Sequence, residues 1–379
     1  MRQIWVTLVG VGVLSSIGMA IGISQTSSKF QSTSELGTWE FPNREHVNDG
    51  TVTIMTGPVG GLTPIMGADL ARVLDDGDRL RVLPVGGKGS VQNIIDILSL
   101  KSIDMGMVVS DVAEFFRIQY NVPNIESRLR FIAKLYNNEI YIVAPNSIKS
   151  IYDLVGKKVM APKDVGFFSA RIIFSRLNID ARFDYQTDDT LSLQRVIDGQ
   201  ADAWIVSVGK IFPIARSIKN DNGNLHLVPI PYDPKLRDLY LPSKLTSGEY
   251  PNLIATGQEV ETLATGVILA SFNWPENTDR YRKVARFVDA FFSKINEFYL
   301  PPRNPKWRET NIQASVLGWQ RFKAAQDWLD NRSAMPSRLS PEEIKQFLAE
   351  KGISRSKNFS QEDITRLFNA FTEWAKSRR

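Results

Sequence analysis

The sequence predicts an α/β protein with an open sheet flanked by helices, and three observations predict it. From Thr51 onward, short β-branched runs alternate with stretches whose apolar residues recur at helical spacing. Successive strand-to-helix junctions carry glycines or helix-capping residues. The composition is that of a globular chain: 379 residues, 43% hydrophobic and 23% charged, room for two or three domains.

Taken in order, residues 51–56 read as a strand and residues 63–76 as a helix, with Ile65, Met66, Ala68, Leu70, Val73 and Leu74 on or near one face. Residues 80–85 read as a second strand. Residues 90–100 form a helix carrying Val91, Ile94, Ile95 and Leu98, 105–109 a third strand, and 110–119 another helix. This alternation predicts a parallel sheet. New material then repeats the theme. Strands are expected at 131–135, 140–144, 158–161, 203–207, 225–230 and 264–271. Helices are expected at 150–154, 168–177, 190–198, 209–218, 279–296 and 311–330. Two further helices, 340–351 and 360–376, each begin with Ser followed shortly by Glu.

The start of the chain has a different character. Arg2 supplies one charge, residues 4–23 are uncharged and mostly apolar, and residues 24–28 are polar. This layout is that of a secretory signal, and it is also long enough for an uncleaved N-terminal anchor. Either reading places the bulk of the chain outside the cytoplasm. Residues 24–50 read as a polar linker.

Several classes of chemistry are excluded or disfavoured. Cysteine is absent, which removes disulfides, thiolate metal sites and a cysteine nucleophile. The two histidines, His46 and His226, are too few for a multi-histidine metal site and are expected to be structural or solvated. The net charge is +5, but residues 333–379 hold nine Lys/Arg against six Asp/Glu, so three of the excess charges sit in the last segment. That placement weakens a nucleic-acid reading. Gly86 to Ser90 lacks the order of a phosphate-binding P-loop because Gly89 follows Lys88, and neither a dinucleotide fingerprint nor a nucleophile elbow occurs. Asp75, Asp76 and Asp78 lack the spacing of a calcium loop. The Trp and Phe residues of 307–328 read as core. Nothing assembles a catalytic set, so no enzyme, cofactor or metal is expected.

The informative feature is the set of junctions. Gly57 to Gly61 precedes Thr63 and Pro64, a cap and a favoured first helical residue. Gly86 to Gly89 precedes Ser90, and Ser110 with Asp111 follows the third strand. In a parallel sheet all three lie at the carboxyl edge, where ligands bind, and helix N-termini converging there favour an anion.

At these junctions the chain resembles the TAXI-type solute receptors of TRAP transporters. The matching pieces are Thr53-Ile-Met-Thr-Gly57 with Gly60, Gly61 and Gly67, then Gly89-Ser-Val-Gln-Asn93, then Ile103-Asp-Met-Gly-Met-Val-Val-Ser-Asp111. Further along come Leu129-Arg-Phe-Ile-Ala-Lys-Leu135, Ile148-Lys-Ser-Ile-Tyr-Asp-Leu154, Gly156-Lys-Lys-Val159 and Ile197-Asp-Gly-Gln-Ala-Asp-Ala203. The resemblance covers residues 50–330. It implies a two-lobed periplasmic-binding-protein-like type II fold whose lobes close on a small organic anion, an amino acid or dicarboxylate, for delivery to the membrane subunits of a TRAP transporter. The lobes would be 51–141 with 263–332, and 142–262, leaving 333–379 as an additional helical tail with no ligand role. It also implies a periplasmic, monomeric protein and ligand contacts from Gly60, Gly61, Ser90, Asn93, Ser110, Asp111, Ser169 and Gly209. Departures from the family pattern are Thr63 and Pro64 in place of two tyrosines, Gly166 to Ser169 in place of a Gly-Ser-Gly-Thr loop, and lysines at 88 and 210. Thr63 joins the expected contacts, and Lys88 and Lys210 are expected as charge partners of a more acidic or larger ligand. The alternatives are a membrane-tethered sensor or scaffold using the same cleft, or an enzyme on the same fold.

Overall fold

The computed structural model describes residues 44–162, 165–186 and 188–334, and beyond them only residues 347, 350 and 370. The N-terminal apolar segment, most of the linker and, apart from residues 347, 350 and 370, the two expected C-terminal helices therefore lie outside the described residues, as does the side chain of His46. Within the part of the linker that is described, Arg44–Gly50 forms a helix, α1.

The first alternation is as expected. Strand β1 (Thr51–Met55) leads to α2 (Leu62–Leu74), β2 (Arg81–Val85) to α3 (Ser90–Ser99), and β3 (Met105–Val109) to α4 (Val112–Tyr120). A short helix α5 (Ile125–Arg128) then turns the chain into β4 (Leu129–Pro145). Here the structure corrects the sequence reading. The two strands expected at 131–135 and 140–144 are one 17-residue strand. The polar residues between them, Asn137 and Asn138, do not break it.

After a 3-10 turn at Ile151–Leu154 come β5 (Lys158–Pro162), α6 (Val165–Leu177), β6 (Arg182–Gln186), α7 (Asp189–Ile197) and β7 (Ala203–Val208). Asp188 caps α7 by accepting from the backbone N–H groups of Thr190 and Leu191. The helix expected at 209–218 shortens to α8 (Pro213–Arg216), since Pro213 sets its start and residues 209–212 run as a loop. The strand expected at 225–230 covers only β8 (Leu225–Leu227). There, His226 Nε2 sits 2.6 Å from the Ile148 carbonyl oxygen, a structural role. Strands β6 and β9 (Leu241–Thr246) were not expected, because neither shows a clean apolar alternation.

Strand β10 (Glu259–Phe272) is followed by α9 (Asp279–Ser293), α10 (Ile295–Phe298) and α11 (Lys323–Ala334). Thr278 caps α9, whose Val284, Phe287, Val288, Phe291 and Phe292 are buried at helical spacing. The long helix expected at 311–330 is replaced by an irregular stretch up to α11. Asn311 folds back on the backbone of Gln313 and Ala314, and Gly318 takes a φ of 74°, so the chain turns instead of coiling.

Among the described residues ten strands form one sheet in the order β2-β1-β3-β10-β4-β7-β5-β6, with β8 beside β4 and β9 beside β10. The sheet is mixed and not purely parallel. β2-β1-β3 and β6-β5-β7 are parallel sets, and β10 and β4 run antiparallel between them. Ten consecutive residues of β10 from Thr262 are buried, as expected for a strand covered on both faces. The first part of β4 pairs with β10 beside β3, while its last part pairs with β7 and β8. Two α/β lobes thus share β4 and β10. No helix among the described residues is long and apolar enough to cross a membrane.

One contact brings a distant segment to the junctions. Asp69 on α2, nearly buried, accepts from Trp307 Nε1 and from the Asn304 N–H, both at 2.9 Å. Trp307 in turn packs on Phe291 and Phe298. Replacing Asp69 by Ala strands one buried donor, the Trp307 indole, and one half-buried donor, the Asn304 N–H. A urea titration of Asp69→Ala is expected to show a loss of about 2–4 kcal/mol, and an unchanged midpoint would refute this anchoring.

Candidate functional site

The carboxyl ends of the two parallel sets face each other across a cleft of about 740 Å³, a size suited to a small metabolite. From the first lobe come Gly57, Pro58, Gly60 to Thr63, Gly89, Ser90 and the end of β3. The second lobe supplies Val206 to Pro213 and Asp189. The shared strands add Tyr136, Asn138 and Val267, and the Asp69-anchored segment adds Asn304 to Lys306.

Two helix starts open into this cleft. Gly61 and Gly89 occupy the N-cap positions of α2 and α3, and neither helix has a side-chain cap. The first backbone N–H groups of each helix are left for a ligand or solvent. Aligned peptide dipoles add partial positive charge at both points. Gly89 has φ 113° and ψ −176°, a backbone conformation closed to residues with a side chain. The glycine is therefore required for the chain to enter α3 at this angle.

The cleft carries two lysines. Lys306 is about one-tenth exposed, and its ammonium lies 2.6 Å from Glu309 and 5.6 Å from the centre of the Tyr136 ring. It also donates to the Lys210 carbonyl at 3.3 Å. A methyl group on Gly209 would meet the end of the Lys306 side chain at 3.1 Å, so the glycine makes room for the cation. Lys210 lines the cleft, but its ammonium donates to the Lys244 carbonyl and sits 3.8 Å from Glu249. Its N–H donates to Glu139 at 3.1 Å. Burial pushes the Glu139 carboxyl up, and the charges of Lys210 and Lys306 oppose the shift. Burial pushes Lys134 down against the pull of Glu309 and Glu139. Tyr136 is raised by burial, with Glu309 adding to the effect, so it stays a neutral phenol.

The residues expected from the sequence divide into two groups. Gly60, Gly61, Thr63, Ser90, Gly209 and Lys210 line the cleft. The Thr63 hydroxyl accepts from the Gly57 N–H at 2.8 Å, and the Ser90 hydroxyl accepts from the Val109 N–H at 3.0 Å, so each also braces its loop. The others lie outside the lining. Asn93 is fully buried and donates to the carbonyls of Thr56 and Met107. Ser110 shares a hydrogen bond with Thr265 and accepts from the Gly266 N–H. Asp111 and Ser169 are fully buried and bonded to each other at 2.7 Å. Lys88 lines a separate, smaller notch. Sequence reasoning missed Lys306, Tyr136 and Asn138. The first lies about 95 residues beyond Lys210, behind Pro301, Pro302 and Pro305, where no local pattern marks it. The two others sit in the stretch taken as a break between strands.

Asp111 joins the lobes. Its Oδ2 accepts from Ser169 on α6 and from the Tyr240 hydroxyl, both at 2.7 Å, while its Oδ1 has no hydrogen-bond partner among the described residues. Alongside, Arg176 on α6 bridges Glu114 on α4 and Asp238, at 2.7 and 2.8 Å. Burial pushes the Asp111 carboxyl up, and the hydrogen bonds from Ser169 and Tyr240 only partly offset it. A carboxyl raised in the folded state binds its proton more tightly there than in the unfolded chain. Its contribution to stability is then complete below the unfolded value and falls as pH rises towards the folded one. Asp111→Asn stays neutral throughout. Its stability relative to the parent protein is expected to improve as pH rises from about 4, read from urea midpoints across a pH series. A pH-independent difference would refute the assignment.

Comparison with curated proteins gives no match. Among solved structures, the chain is similar to an ABC uptake transporter substrate binding protein from Streptococcus pneumoniae with bound histidine, at 12% identity and TM-score 0.43, over 69% of this chain and 94% of that one. It is also similar to a mutant of ArgBP from T. maritima, at 14% identity and TM-score 0.39, over 67% and 93%. A third similarity is to a TctC solute binding protein from Polaromonas, at 13% identity and TM-score 0.39, over 64% and 88%. Residues 54–250, more than half of the chain, match the NMT1-like family, and the protein belongs to that family.

Proposed function

We propose that this protein is an extracytoplasmic solute receptor that captures a small organic anion, an amino acid or a dicarboxylate, in the cleft between its lobes and hands it to a TRAP-type membrane transporter. The observation that carries the reading is the convergence of two uncapped helix starts, α2 and α3, with Lys306 in one cleft of metabolite size. Backbone N–H groups hold carboxylate oxygens by direct hydrogen bonds, and the low dielectric of a half-enclosed site strengthens the attraction to the ammonium. Tyr136 and Asn138 give the ligand a flat wall and an amide. Contacts from both lobes to one ligand favour the closed arrangement over an open one.

Lys306 replaces Lys88 as the leading charge partner in this reading. Both ammonium groups of the cleft already have protein partners, Lys306 with Glu309 and Lys210 with the Lys244 carbonyl and Glu249, and Lys306 leads because its side chain is the more buried of the two. The ionisable lining groups of the cleft are two lysines, a neutral phenol and Asp189, a set suited to holding charge, and this supports the binder reading. Family membership supports the reading, and delivery to a TRAP transporter rests on the resemblance in the sequence.

A thermal-shift screen of small mono- and dicarboxylates on the purified protein tests it. A ligand at about 100 times its dissociation constant adds about 2.7 kcal/mol of stability. Lys306→Gln is expected to weaken the best acid about tenfold, the loss of one charge-assisted contact. Equal shifts from neutral amides of the same acids, or full binding by Lys306→Gln, would overturn the proposal.

A further inference from the structure

Beside the cleft is a second, smaller recess of about 150 Å³, lined by Lys88 to Gln92, Phe115, Tyr120, Phe167 and Phe168. It meets the cleft at Gly89 and Ser90, and neither Lys210 nor Lys306 reaches it. We propose that this recess is a binding site of its own, for a single-ring aromatic carboxylic acid.

Size comes first. A cavity of about 150 Å³ walled by apolar side chains holds one benzene ring. The walls here suit a ring. Phe115 meets Tyr120 and Phe167 edge-on, each at 5.9 Å between ring centres, and Phe168 lies 5.6 Å away at a tilt. Phe115 and Phe168 are nearly buried and back the recess, so a further ring would meet mainly Tyr120 and Phe167, in the edge or offset contacts aromatic groups favour. Phe115 and Phe168 are buried, so the back of the recess is packed in place without a ligand.

Charge comes second. Lys88 stands at the rim, and among the described residues its ammonium has no hydrogen bond or ion pair. An exposed cation beside an aromatic slot offers a carboxylate one charge-assisted contact and leaves the ring to the aromatic walls. A neutral ring would forgo that contact, and an acid without a ring would forgo the apolar one. This assignment stands independently of what the larger cleft holds.

Isothermal titration with benzoate as the probe, with acetate and benzyl alcohol as controls, tests it on the full chain. Benzoate is expected to bind saturably with one site, and acetate and benzyl alcohol about fivefold or more weaker. Lys88→Gln, at an exposed position, is expected to weaken benzoate about fivefold with unchanged melting temperature, and Tyr120→Ala, which also gives up its ring contacts with Phe115 and Phe116, to weaken benzoate about fivefold with a lowered melting temperature. Lys306→Gln is expected to leave benzoate binding as it is. No saturation up to about 10 mM, or full binding by both recess variants, would overturn the site. A loss in Lys306→Gln equal to that in Lys88→Gln would place benzoate in the larger cleft and overturn it too, while leaving the receptor reading in place.

Discussion

The antiparallel pairing of β4 with β10 is the constraint on which the rest of the molecule depends. Nine register pairs join them, from Ala264 with Glu139 to Phe272 with Leu129. β10 also carries β3, and through it the whole β2-β1-β3 set, while β4 carries β7 and the opposite set. The orientation of the two parallel sets is therefore fixed by two strands. Because each set ends at its carboxyl edge, the loops of both fall on the same gap. The cleft follows from strand direction before any side chain is considered.

What fills the gap is set by longer-range contacts. Asp69 holds Asn304 and Trp307, and this places Lys306 among the loops of the parallel sets. Gly209 leaves room for its side chain. The polar seam of Asp111, Ser169, Tyr240, Glu114 and Arg176 ties α4 to α6 beside the cleft. Its charged members are bonded in pairs or triplets, as buried charge requires.

Much of the fold was legible in the sequence because it is written locally. Alternating runs at 51–55, 81–85 and 105–109 gave three strands, and glycines with capping residues marked the helix starts between them. The same signals singled out Gly60, Gly61, Ser90 and Gly209, which line the cleft. Local pattern says less where it diverges from tertiary role. Asn93, Asp111 and Ser169 have the polar chemistry of ligand contacts, but whether such a group faces a cleft or a backbone carbonyl depends on packing that spacing does not encode. Lys306 carries no local signal, since its position is owed to a carboxylate some 237 residues earlier. The length of β4 was hidden for the reverse reason: Asn137 and Asn138 look like a turn, yet a strand crossing between lobes can place polar residues where it passes the gap.

The place of β10 in the chain has a consequence for the order of events during synthesis. The strand lies between β3 and β4 in the sheet, but it begins about 150 residues after β3 ends. At roughly 5–20 residues per second, the ribosome takes on the order of ten seconds or more to supply it. Until then β3 and β4 present unsatisfied edges to each other across a missing strand, so the amino-terminal half has no native partner to close against while it waits. Neither half of the sheet can complete its pairing from one contiguous stretch of chain.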